Sequence, residues 1–571
     1  MKNMLLAVLA FLLFNPVFSQ SQQWDKNYFK SPVDFEILLS GTFSELRSDH
    51  FHGGIDIKTC GVQGKKIKAA ADGYVSRIKI STGGYGKAIY INHPNGLMTV
   101  YGHLKCFSPS IEKYVKEQQY KKESFTLDLK IPENTLNVKQ GQLIAYSGNT
   151  GSSGGPHLHF EIRRKDGAIP VNPMHYGFLI SDKRKPNIDL IAIYPNNDLA
   201  QVNNSPDNIY LKTKTVNDKY IINNNKPISV YGDISFGIYC YDRQSKTRNK
   251  NGVYAIDLFV DDSLIYSTSM DEMPFSKTRY INSLIDYKYY KKNKKRIQRS
   301  CIDPNNHLDI YKTVKNNGIY SFTDTLTHII KYVVKDIDGN NSYIEFPVKG
   351  ENFTKIHRCN AKKGSFIDHS KAFFINDTAF SCNMPSNSLY KSEHLNFYNT
   401  HNKSTCGYDI IQLGDENIPC HKSFTLTLNI DSIPADIQDK IYAVYILDTN
   451  KEAYAGGKIK DGKLELRARK FGQYSIAIDT IPPFIQGRNV HNGKDIKGYK
   501  AIRFDINDKE SGIKSYNAKL NGNWVLMEYE SKTGILFYNT DNRMKNGKNI
   551  FEVEVEDMKG NTSSVKYELI Y

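Results

Sequence analysis

Two common signatures of metal and redox chemistry are missing from this 571-residue sequence. None of its eight cysteines stands in a Cys-x-x-Cys pair, so a cysteine zinc site and thioredoxin-type chemistry are unsupported. No His-Glu-x-x-His segment occurs either, which excludes the helical zinc motif of many metalloproteases. The cysteines are compatible with disulfides or with small buried side chains, and the sequence leaves both interpretations open.

Long apolar segments are also missing, except at the N-terminus. Met4–Phe14 is an unbroken apolar run that follows Lys2, and it is too short to span a bilayer as a stable helix. Pro16 ends the run, so we predict a secretory signal peptide at residues 1–19, with a retained membrane anchor as the alternative. We therefore expect an exported protein of the periplasm or cell envelope, or a secreted one, without stable membrane insertion after cleavage.

Acidic residues are fewer than basic ones. The 76 Lys and Arg exceed the 60 Asp and Glu, which gives a formal net charge of +16. This charge is compatible with nucleic-acid binding, but the predicted export argues against a nucleic-acid partner, and non-specific attraction to anionic envelope polymers fits better. The densest basic run, Lys288–Arg299, is interpreted as a solvated loop, with a docking patch for polyanions as the alternative.

The composition indicates several β-rich domains. Trp occurs twice, but 38 Tyr and 28 Phe supply enough aromatic side chains for several cores in a chain of this length. A weak repeat supports this: "GVYAIDLFVDD" from Gly252 and "VKDIDGN" from Val334 correspond to "GIKSYNAKLNG" from Gly512 and "VEDMKGN" from Val555. Each pair is typical of an immunoglobulin-like β-sandwich.

We predict a mainly β protein with four domains after the signal peptide. They are a β-rich domain at 20–180, an immunoglobulin-like β domain with an insertion at 181–350, an additional β domain at 351–482 and an immunoglobulin-like β-sandwich at 483–571. Within the first domain, "KAIYINHPNGLMTVYGHL" predicts a hairpin. A helix is predicted after Ser108, which we expect to cap it, because Pro109 suits the first helical position.

Five side chains of the first domain are candidates for metal chemistry. His157 and His159 in "GPHLHFEIR" alternate with apolar residues. On a strand they therefore face the same side, with their Cα atoms roughly 6.5–7 Å apart. That spacing lets one imidazole bind a metal while the other reaches the metal-bound water; two unrelated strand histidines are the alternative. In "TVYGHL", His103 is predicted to end a strand.

The segment "HGGID" contributes His52 and Asp56. A straight strand would hold them roughly 13 Å apart, and we expect the Gly53–Gly54 pair to turn the chain and bring the two side chains together. Two neutral histidines and one carboxylate suit zinc, and three protein ligands leave the fourth position for water, as in catalytic zinc sites.

These motifs, His-x-Gly-x-Asp, Tyr-Gly-His-Leu, a glycine-rich loop and His-Leu-His-Phe in this order, resemble the lysostaphin-type (LytM-like) zinc metallopeptidases over about residues 36–175. The flanking domains resemble the long multi-domain members found in Bacteroidota, by which analogy we expect a Gram-negative envelope. The resemblance implies a β-rich peptidase domain with a zinc groove at 20–180 and cleavage of peptide bonds in peptidoglycan, whose stem peptides would be the substrate.

By the same resemblance, His52, Asp56 and His159 are the Zn2+ ligands. His157 is the general base, or the group that orients the water, and His103 stabilises the oxyanion of the tetrahedral intermediate. Spacing alone also allows His50 as a ligand, but His50 would put the glycine and Asp56 out of phase with the motif, so we place it at the groove edge or behind the ligands. The alternatives are a non-catalytic envelope scaffold or amidase activator, and a secreted general protease.

Overall fold

The computed structural model describes residues 24–223, 227–352, 363–447 and 451–571. The predicted signal peptide and Cys359 lie outside these residues. The described chain is dominated by β-strands, which confirms the predicted mainly β class. Within this part of the chain no helix combines the length and apolarity needed to cross a membrane. The seven described cysteines are all unpaired thiols.

The first region, up to residue 180, is built on one sheet of eleven strands. Its elements are β1 Leu39–Gly41, β2 Ile55–Lys58, β3 Lys66–Lys68, β4 Gly73–Ile80, β5 Lys87–Asn92, β6 Leu97–Phe107, α1 Pro109–Lys122, β7 Leu127–Lys130, β8 Asn137–Val138, β9 Leu143–Ser147, β10 His157–Arg164, β11 Pro170–Val171 and the 3₁₀-helix Pro173–Tyr176. The main path runs β1-β2-β10-β6-β5-β4-β7, and the predicted hairpin β5–β6 is confirmed.

Strand β10 is the central element for the candidate site. It pairs with β2 on one side, where His159 lies opposite Asp56, and with β6 on the other, where His159 lies opposite Gly102. Its alternate residues Leu158, Phe160 and Ile162 are fully buried in the core. This alternation fixes which face of β10 carries the two histidines.

Helix α1 begins at Pro109, as predicted, and buries Ile111 and Val115 in the core. The expectation that Ser108 caps it is wrong in one respect. Ser108 holds the N-cap position, but its side chain makes no capping hydrogen bond. Instead the carboxylate of Glu112 accepts a hydrogen bond from the backbone N–H of Phe107 (2.9 Å).

The second region contains a twelve-stranded sheet. Its elements are β12 Asn187–Pro195, β13 Gln201–Val202, β14 Ile209–Val216, β15 Lys219–Ile222, β16 Ser229–Tyr241, β17 Ala255–Val260, β18 Ser263–Ser269, a 3₁₀-helix Phe275–Tyr280, α2 Ile281–Leu284, α3 Tyr287–Asn293, β19 Gln298–Arg299, β20 Tyr311–Val314, a 3₁₀-helix Asn316–Gly318, β21 Tyr320–Phe322, β22 Thr327–Lys335 and β23 Asn341–Gly350. These strands enclose a core of their own.

In each of the third and fourth regions, two sheets of four or five strands pack on one core. The third contains β24 Ser365–Ile367, β25 Phe373–Asn376, β26 Phe380–Met384, β27 Glu393–Leu395, β28 Phe397–Lys403, β29 Asp409–Leu413, β30 Phe424–Asn429, a 3₁₀-helix Ala435–Lys440, β31 Ile441–Ile446, β32 Glu452–Gly456, β33 Lys458–Lys460, β34 Lys463–Ala468 and β35 Gly472–Ile478. The fourth contains β36 Phe484–Gly487, β37 Lys494–Asp495, β38 Ala501–Asn507, β39 Ile513–Leu520, β40 Asn523–Trp524, β41 Glu528–Glu530, β42 Ile535–Asn539, β43 Lys548–Asp557 and β44 Thr562–Ile570. The domain boundaries and the immunoglobulin-like assignment stay predictions.

The basic run Lys288–Arg299 is not a loop that only faces solvent, so that interpretation is wrong. Most of α3 lies within it, and two of its arginines have internal partners. Arg299 forms a buried ion pair with Asp303 (2.9 Å). Arg296 donates a hydrogen bond to the backbone carbonyl of Arg47 (2.9 Å), which connects the second region to the segment that precedes His52.

The fourth region docks against the first at the side of α1. Trp524 packs edge-on against Tyr120 with ring centroids 5.2 Å apart, and Leu526 joins the core of the first region. The ammonium of Lys87, whose side chain is only 9% exposed, lies 2.7 Å from the carboxylate of Glu528. Burial disfavours the charged ammonium, but Glu528 raises the pKa of Lys87 above its usual value.

Glu528→Gln is expected to destabilise the whole protein because it leaves the Lys87 ammonium buried without a counter-charge. Removing one partner of a buried ion pair lowers the free energy of unfolding by on the order of 3 kcal/mol. The Tm should therefore fall by several degrees. The matched control is Glu568→Gln, which removes the exposed pair with Lys548 on the same region and should change little. Equal Tm values for both variants in calorimetry would show that the ion pair of Lys87 and Glu528 does not stabilise the contact between the first and fourth regions.

Candidate metal centre

Three ligand atoms converge between β2 and β10. His52 Nε2 lies 3.0 Å from Asp56 Oδ1, and His159 Nδ1 lies 2.9 Å from the same oxygen. The two imidazole nitrogens are 3.0 Å apart. All three residues are buried, and together they form one of the clusters of the described chain whose geometry suits a metal ion. The structure thus brings together the three residues that the sequence predicts as ligands.

The second ring nitrogen of each histidine fixes which atom faces the centre. His52 Nδ1 donates to the backbone carbonyl of Thr42 (2.8 Å), and His159 Nε2 donates to Glu161 (2.6 Å). In the neutral rings the facing nitrogens are therefore lone-pair acceptors. Two such nitrogens and a carboxylate oxygen about 3 Å apart repel one another unless a cation lies between them. The donor set therefore fits zinc, around which tetrahedral ligands sit roughly 3.3 Å apart.

The reason why Gly53 and Gly54 are needed differs from the prediction. Neither has a positive φ, so the left-handed freedom of glycine is not what the chain uses there. A Cβ at Gly54 would lie 2.2 Å from the carbonyl oxygen of Phe160. Gly54 is therefore required because β10 passes directly against this segment, whereas a Cβ at Gly53 would lie 3.1 Å from the carboxylate of Glu161.

Glu161 was missed by the sequence interpretation, although it lies two residues after His159 on the same strand face. It is fully buried, accepts hydrogen bonds from Tyr85 and from His159, and pairs with Arg163. The Tyr85 ring also stacks on His159, with centroids 4.9 Å apart. Such a carboxylate–histidine arrangement orients a metal-binding imidazole and raises its basicity. The period-2 pattern His-x-His-x-Glu was the available signal.

Asp56 has a second partner that the sequence did not reveal. Arg47 donates to Asp56 Oδ2 (2.9 Å), which leaves Oδ1 for the centre. Burial alone would raise the pKa of Asp56, but His52 and hydrogen bonds from the neighbouring histidines hold it well below its usual value. Burial likewise opposes protonation of His159, yet its bonds with Asp56 and Glu161 raise its pKa to about 9. The cluster therefore favours positive charge at its centre.

His157 and His103 flank this cluster. His157 Nδ1 donates to the carbonyl of Gly155 (2.8 Å), and its Nε2 lies 3.4 Å from Asp56 Oδ1. His103 Nδ1 donates to the carbonyl of Thr150 (2.8 Å), and its ring centroid is 4.7 Å from that of His157. Both rings thus keep Nε2 as a free acceptor when they are neutral. Burial is the main cause that lowers the pKa of His103 to about 3.

His103 does not end its strand, so that prediction is wrong. β6 continues to Phe107 through an irregularity in its pairing with β5 and β9. His103 itself has φ of 57°, a left-handed conformation that costs a non-glycine residue roughly 1–2 kcal/mol. The bulge redirects the side chain out of the regular alternation of β6.

His50 lies apart from the cluster. Its side chain is exposed, and its Nδ1 contacts Asp49 (2.8 Å). We expect His50→Ala to keep one zinc per chain and His52→Ala to lose it, because only His52 contributes a buried acceptor beside Asp56. Metal content after dialysis, measured by mass spectrometry, tests this. An apo His50→Ala together with a zinc-loaded His52→Ala would reverse the assignment.

The second region encloses the far side of the His52 segment. The backbone N–H of Phe51 donates to Thr278 (2.8 Å), and Phe43 and Phe51 pack in one cluster with Ile281 and Leu284. The guanidinium of Arg163 lies over the Phe275 ring at 4.5 Å. The candidate centre is therefore supported from outside the first region.

Two parts of the chain match the sequence models of known families. Residues 50–120 and 129–173 match the sequence model of Peptidase family M23, and residues 365–479 match that of the Zu5-like domain. A "DD-carboxypeptidase/endopeptidase Mpg" of Neisseria meningitidis is 36% identical over 129 residues, 23% of each chain. An "Uncharacterized metalloprotease" of Haemophilus influenzae is 30% identical over 161 residues, 27% of this chain and 28% of that one.

A "Murein hydrolase activator NlpD" of Salmonella dublin is 37% identical over 123 residues, 22% of this chain and 25% of that one. The match thus spans about a quarter of the length of these curated relatives. Among solved structures, the catalytic domain of an M23 protein EnpA from Enterococcus faecalis is 27% identical, with 26% of this chain and 97% of that chain covered and a TM-score of 0.19.

Proposed function

Because the chain carries a domain of peptidase family M23, we propose that it is a zinc metalloendopeptidase that hydrolyses peptide cross-links of bacterial peptidoglycan. The observation that supports this most is the convergence of His52, Asp56 and His159 on one point, with His157 and His103 beside it. A Gram-negative envelope as the place of action stays a prediction.

In this proposal His52 Nε2, His159 Nδ1 and Asp56 Oδ1 hold the zinc ion. Bound zinc lowers the pKa of a coordinated water to about 7 and polarises a carbonyl group. Glu161 and the Thr42 carbonyl fix the orientation of the two ligand rings. This support matters because a metal-binding histidine with a free second nitrogen can rotate and change tautomer.

His157 and His103 handle the proton. Each holds its Nδ1–H in a hydrogen bond to a backbone carbonyl, so each presents Nε2 as acceptor toward the site. His157 is the nearer to Asp56 and takes the proton of the attacking water as general base. His103 would stabilise the developing oxyanion as the neutral tautomer that carries its proton on Nε2, and forming this tautomer releases the hydrogen bond from Nδ1 to the Thr150 carbonyl.

A non-catalytic role as activator of another murein hydrolase is the second candidate, favoured by the similarity to the Salmonella protein. The two roles separate in one assay. The zinc-loaded protein is incubated with purified peptidoglycan, and released fragments are identified by mass spectrometry, with His159→Ala as control. New peptide termini that depend on His159 support the peptidase, and a protein substrate cut equally well would point to a general protease. No fragments, but stimulation of an added amidase by both proteins, would establish the activator.

Glu161→Gln is expected to weaken zinc binding by about 10–100-fold, since it removes the charge that holds the His159 ring as a ligand. Competition with a chromophoric chelator measures the zinc dissociation constant. The matched control is Glu117→Gln on the exposed face of α1. If both variants bind zinc like the unaltered protein, the carboxylate does not support the ligand.

A further inference from the structure

Four aspartates meet where the first and second regions join, away from the candidate metal centre. We name Asp182, Asp242, Asp336 and Asp338 the junction cluster. Oxygens of Asp182, Asp336 and Asp338 all lie within 4.8 Å of one another. Asp242 lines the same small cavity as these three. The chain brings them together from positions up to 156 residues apart.

Each element of the cluster comes from a different part of the fold. Asp182 lies in the segment that leaves the first region. Asp242 directly follows β16, and Asp336 and Asp338 form the turn between β22 and β23. The four aspartates belong to the second region, and residues of the first region, among them Thr42 and Asn172, line the same cavity. A ligand bound there would therefore lie at the contact between the two regions.

Two buried side chains that line this cavity have polar atoms without hydrogen-bond partners. Asp242 is 6% exposed, and its Oδ1 accepts no hydrogen bond. Asn251 is 2% exposed, and neither its Oδ1 nor its Nδ2 has a partner. Leaving a buried polar group unsatisfied costs roughly 1–3 kcal/mol, and more for a charged one. An unpartnered carboxylate oxygen and an unpartnered amide that line one cavity indicate a bound ligand that is coordinated by oxygen atoms.

The negative charge of the cluster is not neutralised by side chains. Throughout the described ranges, none of the four carboxylates forms an ion pair with Lys, Arg or His. Burial and repulsion from Asp182, Asp336 and Asp338 raise the pKa of Asp242 to about 7, against a hydrogen bond from the backbone of Arg243. Burial and repulsion from Asp336 and Asp182 raise the pKa of Asp338 to about 6. A bound cation would remove both the repulsion and the unsatisfied oxygens.

We propose that the junction cluster is a calcium site. Carboxylate and amide oxygens are hard ligands. Three of them, from Asp182, Asp336 and Asp338, lie within 4.8 Å of one another, and Asp242 and Asn251 line the same cavity. Calcium takes six to eight oxygens in adaptable geometry, whereas magnesium demands a near-ideal octahedron and zinc prefers histidine or cysteine. Waters would complete the coordination on the exposed side, where Asp338 lies.

Bound calcium would also stabilise the candidate zinc centre through the loop formed by residues 242–252. Gln244 in this loop accepts a hydrogen bond from the N–H of Leu39 in β1 (2.7 Å) and donates to the carbonyl of Ile37 (3.2 Å). Thr42, whose carbonyl holds His52, accepts from the N–H of Gly252 (3.0 Å). Ordering the loop therefore orders the strand beside His52. This effect on activity rests on the proposed function, but calcium binding itself does not.

A similar group stands between the third and fourth regions. Asp479, Asp508 and Glu510 also place ligand oxygens within 4.8 Å of one another. Asp479, the buried member, accepts hydrogen bonds at both oxygens, as Asp336 does in the junction cluster. What distinguishes the junction cluster is the unpartnered Oδ1 of Asp242 and the unpartnered amide of Asn251. The second group therefore supplies a matched control.

The test uses the full-length, zinc-loaded protein in buffer freed of calcium by resin, since soluble chelators would also remove zinc. Isothermal titration with CaCl2 should show binding to the unaltered protein and a rise in Tm of several degrees. Asp242→Asn and Asp336→Asn should weaken calcium binding at least tenfold, while Asp508→Asn should bind like the unaltered protein. Because it removes repulsion, Asp242→Asn should also melt higher than the unaltered protein in the absence of calcium, which shows that it folds.

Zinc content and peptidase activity are measured separately, so an inactive enzyme with intact calcium binding would refute only the proposed function. Absence of calcium binding to the unaltered protein would overturn the calcium site. Equal affinity of the unaltered protein and both junction variants would overturn it too, as would a loss of binding confined to Asp508→Asn. If one variant fails to fold, Asp338→Asn at the exposed edge replaces it.

Discussion

Replacing His159 with alanine is expected to abolish zinc binding and, with it, the proposed peptide-bond cleavage, an effect as large as that of any single change in this protein. His159 lies between Asp56 and Glu161, and its Nδ1 is 2.9 Å from Asp56 Oδ1 and 3.0 Å from His52 Nε2. Without it, two protein ligands remain, too few for a site that has to keep a position open for water. Asp56→Ala should have the same outcome, and it also leaves Arg47 without its partner.

Zinc content and peptidoglycan cleavage are measured on the same preparations, with circular dichroism as the check on folding. Asp56→Asn is the conservative companion, since it keeps the shape and lowers the charge at the centre. A well-folded His159→Ala or Asp56→Ala protein with one tightly bound zinc would show that the ion is held elsewhere.

Replacing His157 or His103 with alanine should leave zinc in place and lower activity by about 10²–10⁴-fold, the range for loss of a general base or an oxyanion donor. Neither ring contributes a ligand atom in the proposal, and both point an Nε2 acceptor toward the site. Because His103 has a positive φ, His103→Asn and His103→Gly serve as companions that tolerate this conformation.

The pH dependence of kcat distinguishes His157 from a residue that merely fills space. Loss of His157, the group that accepts the proton, should flatten the acid side of the profile, whereas a packing defect should lower activity evenly at every pH. Loss of zinc in either variant would make that histidine a ligand. Activity within tenfold of the unaltered enzyme would remove it from the chemistry.

The site lies within the first region, but contacts from other regions support it. The segment leading to His52 contacts the second region through Thr278 and Arg296. The fourth region reaches the loop before His157, where Lys532 donates to the carbonyls of Asn149 and Ser153. These contacts hold the two segments that carry His52 and His157 from outside the family-matched residues.

The sequence by itself determined the mainly β class, the hairpin of β5 and β6, helix α1 and the five candidate side chains. These features depend on local order: alternation with period two sets the face of β10, and Pro109 with its following apolar residues sets the start of α1.

Only the tertiary structure decided which partners complete these motifs. Glu161 fixes His159 because β10 is buried between β2 and β6, and Gly54 is required because Phe160 passes against it. The pair of Lys87 and Glu528 and the four junction aspartates join positions that are far apart in the chain. Such contacts follow from the order of strands in the sheets and from how the regions pack, which no local periodicity encodes.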